Sequence, residues 1–467
     1  MPNELYKNIL SKGVNSYLII FLYLFIHLCL RLIVSQTLQV DDREQIIIAQ
    51  ELLLGYPIPQ PPLYSWLSWI FFKIFGINLL ALSILKYSLI ALTFYILFLA
   101  TKEFFNDQIN QNLALFAYFL MPSFFWHMHQ GFTHTILLSL GIAASIHAVL
   151  ILKKKDSYFY LGIAIGIGLM GKYSYLIFLS VMILAMLMIK DYRDLILNKK
   201  ILITLVVALV IISPNTFWLI ENYQNIFPTI DEKLNITNET ISIFKTYQKL
   251  FLAYLGFIFP LIFIALVFFR SISLEKRSSN EKLMDYFFFV VIALSVTLPL
   301  FFSIETVRVR WLHPVLMLFP FWLMSLFKFN SKRSICINFF YISLTLLTIL
   351  ILVIRIFQGN LGANYGFYTR LSVPIVETIN LIPEDLKKNK LIIADNLNLF
   401  AHLGVTLPNN KIIFADNMFN PEAKNNGCLL LSDNLKGLGA TQKIFTFSRT
   451  YGEKNYEIFI EPKVSCQ

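Results

Sequence analysis

The stretch SYLIIFLYLFIHLCLRLIVSQ, Ser16 to Gln36, is apolar for long enough to cross a bilayer, and runs like it recur as far as Phe357. A hydrocarbon core of about 30 Å takes roughly 20 apolar residues in a helix, and backbone groups in lipid have to find partners inside their own segment. Residues 1–357 are therefore confined to a polytopic α-helical membrane fold. A hydrophobic content of 57%, a charged content of 14% and a mean hydropathy of +0.65 exclude a soluble fold for this part. Spans are expected near 16–36, 79–100, 111–126, 132–152, 158–171, 173–189, 201–220, 246–269, 285–302, 311–327 and 335–357, about eleven crossings in all. The first run lacks a small-residue cleavage site, so it reads as a retained helix rather than a removable signal.

A net charge of +11 raises the question of nucleic acid. No basic stripe with interleaved aromatics is present, and the cations sit in short loops, KKKDS, KDYRDLILNKK, RSISLEKRSSNEK and KFNSKRS, that the span order puts on one side. This is the positive-inside pattern, so that side is expected to be cytoplasmic and no nucleic-acid partner is expected. Residues 358–467 fall on the other side and contain no spanning run. KLIIAD, KIIFAD, CLLLSD, KIFTFS and YEIFIEP alternate with loops and predict a small soluble α/β domain. The four cysteines have no metal-ligand spacing. Cys428 and Cys466 share the outer compartment, where a disulfide could form.

Polar residues cluster in four places on the outer side. The first outer loop, 37–78, opens with Asp41 and Asp42, followed by EQIIIAQELLL, whose apolar spacing predicts a short surface helix ending at Gly55. Pro57, Pro59, Pro61 and Pro62 then enforce an extended path, before LYSWLSWIFFKIFG returns as an interfacial amphipathic helix. The acidic pair is open to two readings: a solvated helix start, or a general base with a positioning neighbour. Like-charge repulsion would raise both pKa values. The second cluster, FFWHMHQGFTHT, carries His127, His129 and His134. Interfacial anchoring and metal ligation are both compatible with it.

The third cluster is Lys172 in GIGLMGKYSYL, a cation between apolar runs and so a functional candidate, unless it snorkels to the interface. The fourth is ETVRVRWLHP, where Glu305, Arg308, Arg310 and His313 crowd a loop that should be poor in arginine. In an extended loop Arg308 and Arg310 would point the same way and grip a phosphate; an ion pair with Glu305 is the alternative. Carboxylates and cations gathered on one membrane face, beside a bundle able to hold a lipid tail, suit the use of a lipid-linked phosphate ester.

DDREQ…LLLGYPIPQPPLYSWL, GLMGKYSYL and RVRWLHP resemble the signature regions of the C-type glycosyltransferase (GT-C) superfamily. More narrowly, they are similar to bacterial relatives of the dolichyl-phosphate-mannose protein mannosyltransferases and to the lipid A 4-amino-arabinose transferase. The resemblance implies a GT-C fold with amphipathic helices at the outer surface. It also implies transfer of a sugar, with inversion, from a polyprenyl monophosphate to an envelope acceptor such as lipid A or lipopolysaccharide core. The setting it implies is the periplasmic side of a bacterial inner membrane. Asp41 matches the family's catalytic base, and Asp42 stands where many members have Glu. Lys172, Arg308 and Arg310 become candidates for the donor phosphate, and Glu44, Tyr56, Tyr64, His134 and His313 for substrate or interface contacts. The lipid A transferase has an acidic and a basic residue, implicated in metal and phosphate binding, before its Pro-Pro pair, where this chain has Pro59 and Gln60, so a divalent metal stays open as a cofactor but is not supported by the resemblance at these positions. The rivals are a transporter or flippase for lipid-linked sugars and an O-antigen polymerase or ligase. The absence of visible repeats and the placement of charge at one surface rather than mid-membrane count against a transporter. The Asp pair after the first helix counts against a polymerase or ligase.

Overall fold

A computed structural model describes residues 13–234, 243–268, 277–301, 308–327, 334–387, 391–408, 410, 412–414, 426–434 and 444–465. In chain order, the helices used below begin with α1 (Gly13–Val34), α2 (Val40–Ile48), α3 (Leu63–Phe75), α4 (Leu79–Phe104) and α5 (Gln108–Ala117). They continue with α6 (His134–Lys155), α7 (Tyr158–Gly171), α8 (Tyr175–Leu187), α9 (Lys190–Ile196) and α10 (Ile201–Leu234). The last are α11 (Ile243–Ile258), α12 (Leu261–Phe268), α13 (Ser279–Phe301), α14 (Ser334–Ile356) and α15 (Leu397–Thr406).

Among the described residues, six helices are long and apolar enough to cross a membrane, and up to eight if each of two bent pairs is one span. The six match the expected spans at 16–36, 79–100, 132–152, 201–220, 285–302 and 335–357. The bent pairs, α8 with α9 (119°) and α11 with α12 (77°), fall on 173–189 and 246–269. The other three expected spans take different forms. Residues 111–126 break into α5, a 3-10 turn and the short helix Pro122–Phe125; residues 311–327 break similarly; and α7 has only 14 residues. Pro122, Pro314 and Pro320 each sit at the first turn of a new short helix, where a missing N–H costs least and an unbroken helix cannot run through.

The chain divides into two compact units. The first comprises residues 1–24, 53–64 and 88–349, and its centre is α6, with 94% of its apolar window buried. A helix apolar all round belongs inside a bundle. α7 packs against it at glycine contacts: a Cβ on Gly141 would stand 2.4 Å from the Gly168 Cα, so only glycine admits this approach. The loops at the Lys155 end of α6 are laced by exposed pairs, Lys153–Asp191 (2.7 Å), Lys154–Glu103 (2.7 Å) and Lys200–Asp156. Two of the basic loops thus gather at one end of this bundle, as the charge pattern required. The other two, 270–282 and 328–334, lie largely outside the described residues.

The second unit comprises residues 25–52, 65–87 and 350–467. It contains the predicted α/β fold, a five-stranded sheet in the order β2-β1-β3-β5-β4. The strands are β1 (Leu391–Ala394), β2 (Ile412–Phe414), β3 (Asn426–Ser432), β4 (Phe445–Tyr451) and β5 (Lys454–Ser465), one on each expected run. β1 lies parallel to β2 and β3, while β5 runs antiparallel to β3 and β4. α15 is the crossover between β1 and β2, the connection that a parallel pair requires. Its Leu399 and Leu403 pack with Ile375, Ile379, Leu429 and Ile458 in the core of this sheet. A second core joins Leu38 and Ile46 to Phe72, Leu82 and Ala401. The Cys428–Cys466 pairing cannot be followed, because Cys466 lies outside the described residues.

Candidate active site

The acidic pair is set by the end of one helix and the start of the next. Arg31, in the last turn of α1, donates to the carbonyls of Ser35 (2.8 Å) and Thr37 (2.8 Å), holding the outgoing chain extended. α2 then begins at Val40 with Gln39 as N-cap, and Asp42, at the third helical position, accepts the Gln39 N–H (3.4 Å) in the manner of a capping box. Asp42 is 2% exposed, with Lys86 Nζ 3.2 Å from Oδ1 and Arg31 Nη2 3.6 Å from Oδ2. Burial pushes the Asp42 carboxyl up, but Lys86 and then Arg31 pull harder, and the group ends below its ordinary value. The expected mutual upward shift of the two aspartates therefore does not hold for Asp42, because its nearest charges are cations.

Asp41 is half-buried, and one helical position turns its side chain about 100° away from that of Asp42. Glu44, also half-buried, lies three positions on and shares a face with Asp41. The two aspartates thus differ in kind. Asp42 is enclosed in an ionic network, whereas Asp41 keeps part of its surface exposed.

α2 closes at Ala49, ahead of the expected stop at Gly55. In the first unit, the segment beyond it is pinned instead: the Leu53 N–H meets Tyr56 Oη (3.4 Å), and Asn215 donates to the Leu54 carbonyl (3.4 Å). A Cβ on Gly55 would lie 2.2 Å from the Trp218 ring, so this glycine serves close approach rather than helix capping.

The same unit gathers most of the other candidates. Lys172 follows α7 in extended conformation, and its ammonium donates to Thr135 Oγ1 (2.9 Å) at the start of α6. One turn on, Ser139 bonds the Thr135 carbonyl and His313 Nε2 (2.7 Å). His313 is fully buried between the rings of Phe124 and Phe257. His134 is buried against Tyr64, ring centroids 5.8 Å apart, and Tyr56 is equally buried. Tyr173, next to Lys172, donates to Asn215 (3.1 Å), the residue that holds Leu54. Lys172, Tyr64, His134 and His313 are thus brought together at the His134 end of α6, away from the basic loops, while Tyr56 bonds within its own segment.

Arg308 and Arg310 are both exposed, but the extended clamp geometry is corrected. Val309–Leu312 form a 3-10 turn with Arg308 as its N-cap, so the strand-like alternation ends before Arg310, and Arg308 lies over the Trp311 ring at 5.8 Å. Glu305 lies outside the described residues, so its pairing cannot be followed. Burial, then the Arg310 charge, lowers the basicity of His127. His129 shares a hydrogen bond with Tyr23 (3.0 Å). Among the described residues, no three His, Cys, Asp or Glu side chains converge as metal ligands.

Sequence reasoning missed Arg31, Lys86 and Arg355, all at most 4% exposed. Their signal was the one used for Lys172, an ionisable residue inside an apolar run. It also missed His402, whose bond to the Leu38 N–H joins residues far apart in the chain.

The fold, together with a family match and similar proteins, supports a membrane glycosyltransferase with a GT-C fold. Residues 59–218 match the family model described as dolichyl-phosphate-mannose-protein mannosyltransferase. The lipopolysaccharide core galacturonosyltransferases RgtB and RgtA of Rhizobium johnstonii are each 26% identical to the chain. RgtB aligns over 88% of this chain and 85% of its own length, and RgtA over 85% and 82%. The crystal structure of ArnT from Cupriavidus metallidurans bound to undecaprenyl phosphate superposes with a TM-score of 0.60 at 12% identity, covering 95% of this chain and 97% of that one. Its apo form gives the same score at 11% identity, over 96% and 98%.

Proposed function

We propose that this enzyme transfers a sugar, galacturonic acid in the first instance, from a polyprenyl monophosphate to the lipopolysaccharide core. The observation that carries the reading is the near full-length match to two core galacturonosyltransferases. Undecaprenyl phosphate in a structure of the same fold supports a polyprenyl donor. In this reading, 1–357 is the catalytic membrane domain of an inner-membrane protein, and 358–467 is periplasmic together with the active site.

Asp41 acts as general base: it takes the proton of an acceptor hydroxyl as that oxygen bonds to the anomeric carbon. The bond from that carbon to the phosphate oxygen breaks on the opposite side, giving inversion, and the polyprenyl phosphate leaves with the electron pair. A phosphate leaving group needs charge stabilisation more than protonation, which suits Lys172, Arg308 and Arg310. Asp42 takes no proton in this scheme, since Lys86 and Arg31 hold it ionised.

Mass spectrometry of core oligosaccharide and polyprenyl-linked sugars from cells lacking the protein tests the reading. A missing core galacturonate with accumulated donor is expected, and an unaltered core would refute it. Replacing Lys172 by Met is expected to raise donor KM by about tenfold or more with acceptor KM unchanged, the signature of a lost phosphate contact. Equal effects on both substrates would remove Lys172 from the phosphate.

A further inference from the structure

Two residues that bracket the aspartates, Leu38 and Arg43, are both bonded by one turn of α15 in the C-terminal α/β fold. The Leu38 N–H, just before α2 begins, donates to His402 Nε2 (2.9 Å) across a sequence separation of 364 residues. His402 Nδ1–H in turn bonds the Asn398 carbonyl (2.7 Å), which fixes the neutral tautomer with Nε2 as acceptor. Asn398 Oδ1 accepts from Arg43 Nη1 (2.7 Å). A third tie runs from Thr37 Oγ1 to the Val373 carbonyl (2.6 Å). Leu38 and His402 are fully buried, and Ala401 packs with Leu38 and Ile46. Burial, reinforced by the nearby Arg43 and Arg31 charges, lowers the His402 pKa to about 4 against the opposing Asn398 bond, so the acceptor nitrogen stays unprotonated near neutrality.

Apolar contact alone would hold α2 against α15 but leave the entering peptide free to rotate. A hydrogen bond to the N–H before the helix fixes that peptide plane, and with it the direction of the first turn, where Asp41 sits. We infer that His402 and Asn398 are positioning residues for the reaction, and that the C-terminal fold sets the aim of the Asp41 carboxylate through them. This rests on the reading of Asp41 as the base. Small displacements of a reacting group are costly, about a hundredfold for 1 Å, so a lost tie should appear in kcat rather than in donor binding.

The test uses the full-length protein in lipid nanodiscs, with polyprenyl-phosphate galacturonate as donor and galacturonate-free lipopolysaccharide core as acceptor. His402→Leu is expected to lower kcat by about tenfold or more with donor KM unchanged, and to speed amide exchange at Leu38. His402→Gln, which retains an acceptor, should restore most of the rate and the protection. Asn398→Ala, a change at a less buried position, should lower kcat by about threefold or more and keeps the proposal testable if His402→Leu fails to fold. Near wild-type kcat in Asn398→Ala, or equal losses in the Leu and Gln variants, would overturn the inference. An Asp41→Asn control separates the two failures. If it is inactive while the Asn398 and His402 variants turn over normally, only the positioning claim falls; if it is active, the base assignment falls and takes the positioning claim with it.

Discussion

At the scale of single residues, adjacency conceals two different surroundings. Asp41 and Asp42 are chemically identical and consecutive in the chain, yet Asp42 is sealed among Lys86 and Arg31 while Asp41 stays half-exposed. Removing one partner of a buried ion pair strands the other, at about 3–5 kcal/mol. Asp42→Ala should therefore fail by instability, seen as loss of folded protein in detergent extracts, and Asp41→Ala should not. Equal yields of folded protein would contradict the network. Because the folded pKa of Asp42 is lowered, its contribution is present above the ordinary carboxylate range and is lost as pH falls from that range through the lowered folded value. The sequence could point to the pair but not to this asymmetry, which depends on Arg31 and Lys86 arriving from two separate helices.

At the scale of elements, proline and glycine decided where the reading from sequence held. The helix that follows the proline segment at Leu63 was legible, because proline acts locally, but the segment itself bends at 57–60, with Ile58 and Gln60 N–H bonded two residues back, instead of running extended. The end of α2 was not. Gly55 was read as a helix stop, whereas Trp218, far along the chain, needs the space above its Cα. Gly55→Ala is accordingly expected to destabilise the protein by about 1–3 kcal/mol through overpacking. Combining it with Trp218→Leu should recover part of the loss in thermal unfolding, and purely additive losses would argue against the contact. The extended pairing of the two arginines of RVRWLHP failed for a related reason: alternation means a shared face only in a strand, and the chain turns at Val309.

At the scale of the whole molecule, hydrophobic length identified the membrane class, and short apolar runs located all five strands of the C-terminal sheet. The count of spans was less legible. Apolar runs broken at proline look continuous in composition, so 111–126 and 311–327 read as spans although each is built of short pieces. The partition into units was also hidden, because it joins residues 25–52 to the C-terminal fold through contacts made across most of the chain.

Single-turnover transfer from polyprenyl-phosphate galacturonate to lipopolysaccharide core, comparing wild type with Asp41→Asn alongside binding of undecaprenyl phosphate to both, tests the proposed role of Asp41 as base in a polyprenyl-phosphate sugar transferase. Asp41→Asn is expected to lose about 10²–10⁴-fold in rate, the range for a general base, with lipid binding unchanged. Transfer at the wild-type rate by Asp41→Asn would contradict that role.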